Sequence, residues 1–170
     1  ASKVSAEVLC KQFSLTEEYR IVIARPFNHI GPGQNTQFAV SSFAHQIAKL
    51  MNKKAEKTLK VGNLNVVRDF TDVRDIISAY LLLLSEGVSG EVYNVCSGIG
   101  THLSYIVNKL IEFSGVDILV SIDQTRLRTG EQKTAIGNNA KLVDTTQWKT
   151  MYSLDQSLNE IFDQYREAGK

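Results

Sequence analysis

The chain has 170 residues, the size of one globular domain or of half a larger protein. Apolar residues make up 43% and charged residues 22%, which excludes intrinsic disorder. Nineteen Lys and Arg against 18 Asp and Glu leave a net charge of +1, too little excess positive field to hold a nucleic-acid backbone or an anionic membrane. In chain order, Val4, Val8, Leu9 and Phe13 at helical spacing predict an amphipathic helix over residues 1–15. The β-branched run 20–25, closed by Pro26, predicts a buried strand. A Gly31-Pro32-Gly33 loop leads to a helix over 38–51 with Val40, Phe43, Ile47, Leu50 and Met51 on one face. Leu59–Val61 is a short strand, and 73–85 a helix with Asp72 as its N-cap and Val73, Ile76, Ile77, Tyr80, Leu81 and Leu84 inward. Then follow a strand at Val92–Cys96, a turn, a helix from Leu103 to near Gly115 and a strand at Ile118–Ile122. A polar loop at 123–139, a short helix at 140–145 and a final helix bearing Leu154, Leu158, Ile161, Phe162 and Tyr165 complete the α/β pattern.

Several chemistries are absent. There is no Walker loop, no His-Glu-x-x-His and no Gly-x-Ser-x-Gly. Cys10 and Cys96 make neither a disulfide framework nor a zinc set, so no metal is expected and a reducing, cytoplasmic compartment is the simplest fit. The longest apolar run, Ile76–Leu84, is far short of a membrane span, and no signal peptide is visible. Val92–Val95 followed by Gly98-Ile99-Gly100 imitates a dinucleotide fingerprint, but Leu103 stands where the third glycine belongs. The expectation is a tight turn into a helix capped near Thr101. His45 and His102 have no partners by spacing and are expected at the surface or at helix ends, and Trp148 is expected to anchor the last helix.

A set of motifs spans nearly the whole chain. It comprises Ser2-Lys3-x-x-x-Glu7, Arg25-Pro26-Phe27-Asn28-His29-Ile30-Gly31-Pro32-Gly33-Gln34, Val61-Gly62-Asn63, Arg68-Asp69-Phe70-Thr71-Asp72-Val73-Arg74-Asp75, Val92-Tyr93-Asn94-Val95, Arg126-x-Arg128-x-Gly130-Glu131 and Gly137-Asn138-Asn139-Ala140-Lys141-Leu142. In order and spacing these resemble the C-terminal part of an extended short-chain dehydrogenase/reductase of the nucleotide-sugar branch, the NAD-dependent epimerase/dehydratase family. The nearest likeness is to GDP-6-deoxy-4-keto-mannose reductases and GDP-mannose 4,6-dehydratases.

The resemblance implies an α/β fold made of the last Rossmann elements and a small α/β substrate domain. Residues 1–28 and 70–98 would be the remnant of the dinucleotide-binding domain, and 29–69 and 99–170 the nucleotide-sugar domain. It implies NAD or NADP as cofactor, bound mainly by a preceding half that carries the Gly-rich loop. Lys3 matches the family's catalytic lysine, which lowers the pKa of a tyrosine four residues earlier and bonds the nicotinamide ribose. That tyrosine would lie two residues before Ala1, so the chain is expected to be a fragment, inactive alone. Pro26 and Phe27 would meet the nicotinamide end of the cofactor. Asn28, Val40, Val61, Arg68, Arg128 and Glu131 would bind the nucleotide-sugar. Of these, Arg68 and Arg128 suit the diphosphate because a guanidinium forks onto phosphate oxygens, and Glu131 suits the ribose hydroxyls.

Plainer readings stand beside these. Lys3 is a solvent-facing helix lysine, Asn28 a turn residue, and the charges at 68–75 an ion-pair network, which describes Arg74 best. His29 as a base is the weaker alternative, and the Phe43/Ile47 stripe reads as core. The expected activity of the whole protein is reduction of the 4-keto group of a GDP-4-keto-6-deoxyhexose. The competing readings are a dehydratase or epimerase on a similar substrate, or a non-catalytic nucleotide-sugar-binding remnant. A homodimer through the first helix is expected, with no nucleic-acid or membrane partner.

Overall fold

The computed structural model describes residues 1–16, 18–52, 56–127 and 129–168. Its elements in chain order are α1 (Ser2–Phe13), β1 (Ile23–Pro26), β2 (Asn28–Ile30), α2 (Ala39–Met51), β3 (Thr58–Val61), β4 (Val67–Asp72), α3 (Val73–Glu86), β5 (Val92–Val95), β6 (Gly100–His102), α4 (Leu103–Ser114), β7 (Leu119–Ile122), β8 (Thr134–Ala135), α5 (Ala140–Thr146) and α6 (Leu154–Ala168). A 3-10 turn covers Gln124–Arg126.

Strands alternating with helices give parallel pairing. β1 runs parallel to β5, with Pro26 opposite Val95. β3 runs parallel to β7, with Val61 opposite Ile122. The third sheet places β2 parallel to β4, with β6 antiparallel and β8 parallel to β4. Two apolar clusters fill the interior. The larger joins α2, β3, α4 and α6 through side chains such as Phe43, Ile47, Leu59, Leu110, Leu158 and Phe162. The smaller joins α3, β5 and α5 through Ile76, Leu83, Tyr93, Leu142 and Trp148.

The helices match their apolar periods, but four sequence expectations are corrected. First, the predicted strand at 20–25 begins only at Ile23. Arg20 instead donates hydrogen bonds to the carbonyls of Leu84, Ser85 and Gly87. It supplies the cation that the C-terminal turn of α3 lacks in its own sequence. Second, on α3 only the Ile76, Ala79 and Leu83 line is buried among its apolar side chains, whereas Ile77, Tyr80, Leu81 and Leu84 are exposed, Leu84 to 70%.

Third, Trp148 packs on α3, not on the last helix. Its indole N–H donates to the Asp75 carbonyl (3.1 Å) and the Ser78 Oγ (3.0 Å). Fourth, His45 is half-buried and does have a partner, the Tyr165 ring of α6, tilted against it with centroids 5.2 Å apart, and burial with the nearby Lys49 lowers its pKa. His102, by contrast, is exposed and is the N-cap of α4, one residue beyond the expected Thr101.

Four short strands, β2, β4, β6 and β8, were not expected from the sequence. β4 matters most. Its alternation turns Arg68 and Phe70 to an open cleft and buries Asp69 and Thr71 on the opposite face.

Candidate functional site

The cleft measures about 860 Å³ and lies beyond the carboxyl ends of β3 and β7, against β2 and β4. Open α/β sheets bind ligands at strand carboxyl ends. Its walls come from β2 with the loop that follows, the start of α2, the turn after β3, β4 with Arg68 and Phe70, Leu103 at the start of α4, and the loop residues Thr125, Arg126, Leu127 and Glu131.

Of the site residues expected from the sequence, Phe27, Asn28, Val40, Arg68 and Glu131 line this one cleft. Phe27 is half-buried just past β1, where its backbone N–H donates to the Val95 carbonyl. Asn28 is exposed and makes no side-chain hydrogen bond among the described residues. The structure does not bring the others there. Val61 is fully buried in the core, and its neighbours Gly62 and Asn63 form the wall instead. Pro26 and Lys3 are exposed outside the lining. Lys3 does share a helix face with Glu7, which is held by a two-pronged ion pair to Arg25, directly before Pro26 and Phe27. That pair holds the Glu7 carboxyl below its ordinary range. Arg128 lies outside the described residues.

Arg68 is mostly shielded, with 19% of its side chain exposed. Its Nη1 donates to the Val67 carbonyl (2.9 Å) and reaches the Lys133 carbonyl at 3.5 Å. Its Nη2 stands 3.9 Å from a Glu131 carboxylate oxygen. The other Glu131 oxygen accepts from the Asn63 amide at 3.1 Å. Arg74 takes the structural role expected of it, bridging Asp72 and Glu160 and lying over the Tyr152 ring.

Lining residues that sequence reasoning did not single out include Asn63, Gln34 and Arg126. Arg126 is paired with Asp123 at 3.3 Å across the 3-10 turn. His29 points its Nδ1 at the Phe27 carbonyl (3.1 Å), so Nδ1 carries the proton in that bond.

Behind the cleft, Asp69 is fully buried and accepts from the Ser97 N–H and Oγ, the Gly98 N–H and the Gly137 N–H. The amides of the turn after β5 are therefore filled by this carboxylate. The fingerprint-like turn is a tight turn, with Gly98 at φ 78°, and not a phosphate loop. Cys96 is buried beside Asp69. Burial, then the Asp69 charge, pushes its thiol pKa up to about 11. Among the described residues no cluster of three or more His, Cys, Asp or Glu could hold a metal, and no helix is long and apolar enough to cross a membrane.

The parallel strand pairs, the helices between them and this cleft at strand ends define a Rossmann-like α/β protein with a polar, ligand-sized site. Comparison with known proteins agrees. The family model described as GDP-mannose 4,6 dehydratase matches residues 1–161, and the chain belongs to that family, within the nucleotide-sugar epimerase/dehydratases of the short-chain dehydrogenase/reductase class.

Among curated relatives, the GDP-6-deoxy-D-mannose reductase of Pseudomonas aeruginosa is 44% identical over 164 residues, covering 96% of this chain and 54% of that protein. The GDP-6-deoxy-D-talose 4-dehydrogenase of Aggregatibacter actinomycetemcomitans is 32% identical over 124 residues, covering 73% of this chain and 40% of that one. The solved structure of RMD from Pseudomonas aeruginosa, complexed with NADPH, superposes with a TM-score of 0.91 at 42% identity over 98% of this chain and 55% of that one. The dTDP-glucose 4,6-dehydratase of Bacillus anthracis in complex with NAD gives 0.80 at 25% identity, with 98% and 51% coverage. The chain thus spans about half the length of the relatives it matches.

Proposed function

We propose that this chain is the C-terminal part of an NAD(P)-dependent nucleotide-sugar oxidoreductase whose reaction is reduction of the 4-keto group of a GDP-4-keto-6-deoxyhexose. The observation that carries the reading is the convergence of Asn28, Arg68 and Glu131, from three distant stretches, on one cleft. A guanidinium and a carboxylate held on the same wall match the two ends of a nucleoside diphosphate: phosphate oxygens accept, and ribose hydroxyls donate. Arg68, joined by Arg128, would hold the diphosphate, Glu131 the ribose and Asn28 the sugar end. The base would rest beside Val40 and Gly62, the residue that follows the buried Val61.

The carboxyl ends of β1 and β5 lie side by side, and Phe27 sits at their exit toward the cleft. Pro26 and Phe27 would border the nicotinamide there, and an NAD(P) bound mainly by a preceding segment would supply the hydride. Lys3 would hold the nicotinamide ribose and lower the pKa of a tyrosine in that segment. A free phenol titrates near 10 and needs such help near neutrality. In this division 1–28 and 70–98 serve the cofactor and 29–69 and 99–170 the nucleotide-sugar, and the chain by itself turns nothing over.

The family model, described for a dehydratase, favours dehydration on the same kind of substrate as the second reading. Calorimetry of the intact protein with GDP, UDP and their sugar-linked forms tests the binding reading. Binding of GDP, weakened at least about tenfold by Arg68→Ala, is the expected result. No heat with any of them at millimolar ligand overturns it. Product analysis after incubation with a GDP-4-keto-6-deoxyhexose and NADPH, or with GDP-mannose, decides between the two reactions.

A further inference from the structure

Arg68 and Glu131 stand on one wall of the cleft, each largely shielded from solvent, and yet they do not close on each other. Their nearest nitrogen and oxygen are 3.9 Å apart, about 1 Å longer than a charge-assisted hydrogen bond. Each is restrained from behind. The guanidinium is drawn back by the Val67 and Lys133 carbonyls. The carboxylate is drawn back by Asn63, whose Nδ2 donates to Glu131 Oε2 at 3.1 Å. The orientation of that amide is itself set: Asn63 Oδ1 accepts from the Asn65 N–H at 2.9 Å, so the NH2 group must face Glu131. Without this restraint the carboxylate loses the donor that holds it back, and rotation onto Arg68 gains a charge-assisted bond. The two charges would then satisfy each other, and the wall would present neither a free guanidinium edge nor a free carboxylate oxygen.

We propose that Asn63 is a positioning residue that holds Glu131 away from Arg68, and that through it the site prefers a ribonucleoside diphosphate over its deoxy forms. The inference rests on the nucleotide-sugar reading above and deepens it. A carboxylate oxygen left open beside a phosphate-binding guanidinium has the ribose hydroxyls of the same nucleotide as its natural donors.

Asn63→Asp is the informative change. The new carboxylate still accepts the Asn65 N–H and so preserves the turn, but it replaces the donor with a charge that pushes Glu131 toward Arg68. The measurement is calorimetric titration of the intact protein with GDP and with 2′,3′-dideoxy-GDP, together with thermal melts of each variant. The unmodified protein should bind GDP at least about tenfold tighter than the dideoxy form, the worth of hydrogen bonds to a charged group. Asn63→Asp and Asn63→Ala should shrink that ratio to about threefold or less. Glu131→Gln should shrink it similarly, and adding Asn63→Asp to Glu131→Gln should change it no further.

An Asn63 variant that keeps the full ratio, or that weakens both ligands by the same factor, overturns the positioning role and leaves the nucleotide-sugar reading intact. Failure of the unmodified protein to bind either ligand overturns that reading, and this inference with it.

Discussion

Asp69 shows how one side chain can fix a site without touching it. Its carboxylate ties β4 to the turn at Ser97 and Gly98 and to Gly137, and so anchors the strand on which Arg68, the preceding residue, faces the cleft. Gly137 has no room for a side chain: an added Cβ would come within 2.4 Å of Cys96 Sγ and 2.9 Å of Phe27. Asp69→Ala would strand several buried donors, and a loss of about 3 kcal/mol in urea denaturation is expected. Asp69→Asn removes the charge that helps hold the Cys96 proton, so the thiol should titrate below its native value of about 11 when thiolate absorbance is followed in a Cys10→Ser background.

Cys96 also has a consequence for stability. Its folded pKa lies above the ordinary thiol value, so between roughly pH 9 and 11 the folded state binds more protons than the unfolded one. The thiol's contribution is whole below that window and is lost as pH rises through it, a slope that Cys96→Ala should flatten. Much of this scale was legible in the sequence. The family resemblance assigned Asn28, Arg68 and Arg128 to a cradle for the diphosphate and sugar and Glu131 to the ribose; Asn28, Arg68 and Glu131 line the cleft, and Arg128 lies outside the described residues. Asn63 and Asp69 were passed over because their roles consist of hydrogen bonds to residues about 68, 28 and 29 positions away, which no local pattern encodes.

At the scale of elements, helices could be read because a period of 3.6 repeats over 12 to 15 residues in most of them. The overlooked strands have two to six residues, and β4, with Arg68, Asp69 and Asp72, carries the charges of a loop. The same limit misplaced the outer side of α3, whose apolar residues run almost all the way round, so that periodicity alone cannot say which stripe faces inward.

The junction of β4 and α3 is governed by Asp72. It caps the helix through the Arg74 N–H, pairs with the Arg74 guanidinium and accepts from the buried Ser157 hydroxyl of α6. Burial alone would raise its pKa, but the bonds from Arg74 and Ser157 outweigh that and leave it lowered. A lowered carboxyl adds stability that is complete above its unfolded pKa of about 4 and disappears as pH falls through the folded value. Asp72→Ala should therefore cost about 2 kcal/mol at neutral pH, the sum of a lost cap and a lost buried bond. The penalty should shrink steadily below pH 4 in acid-dependent melting.

For the whole molecule, the charged cleft and the apolar exterior lie on different elements. α1 buries none of its residues among those described, and it turns Val4, Val8, Leu9 and Phe13 outward, Val4 to 65% exposure. A soluble chain rarely leaves several large apolar side chains adjacent on one helix face unless something covers them. A second copy of the same helix is self-complementary to such a stripe, since two-fold packing sets each apolar row against its own image. We propose that α1 mediates a homodimer. Static light scattering of the intact protein at tens of micromolar should then give twice the mass of one subunit. Val8→Glu with Leu9→Glu should return it to the monomer, because two carboxylates from each copy would meet across a dry seam. Neither residue lines the cleft, so GDP binding measured alongside should survive the change. A monomer before substitution overturns the dimer, and a dimer that persists after it moves the interface off α1.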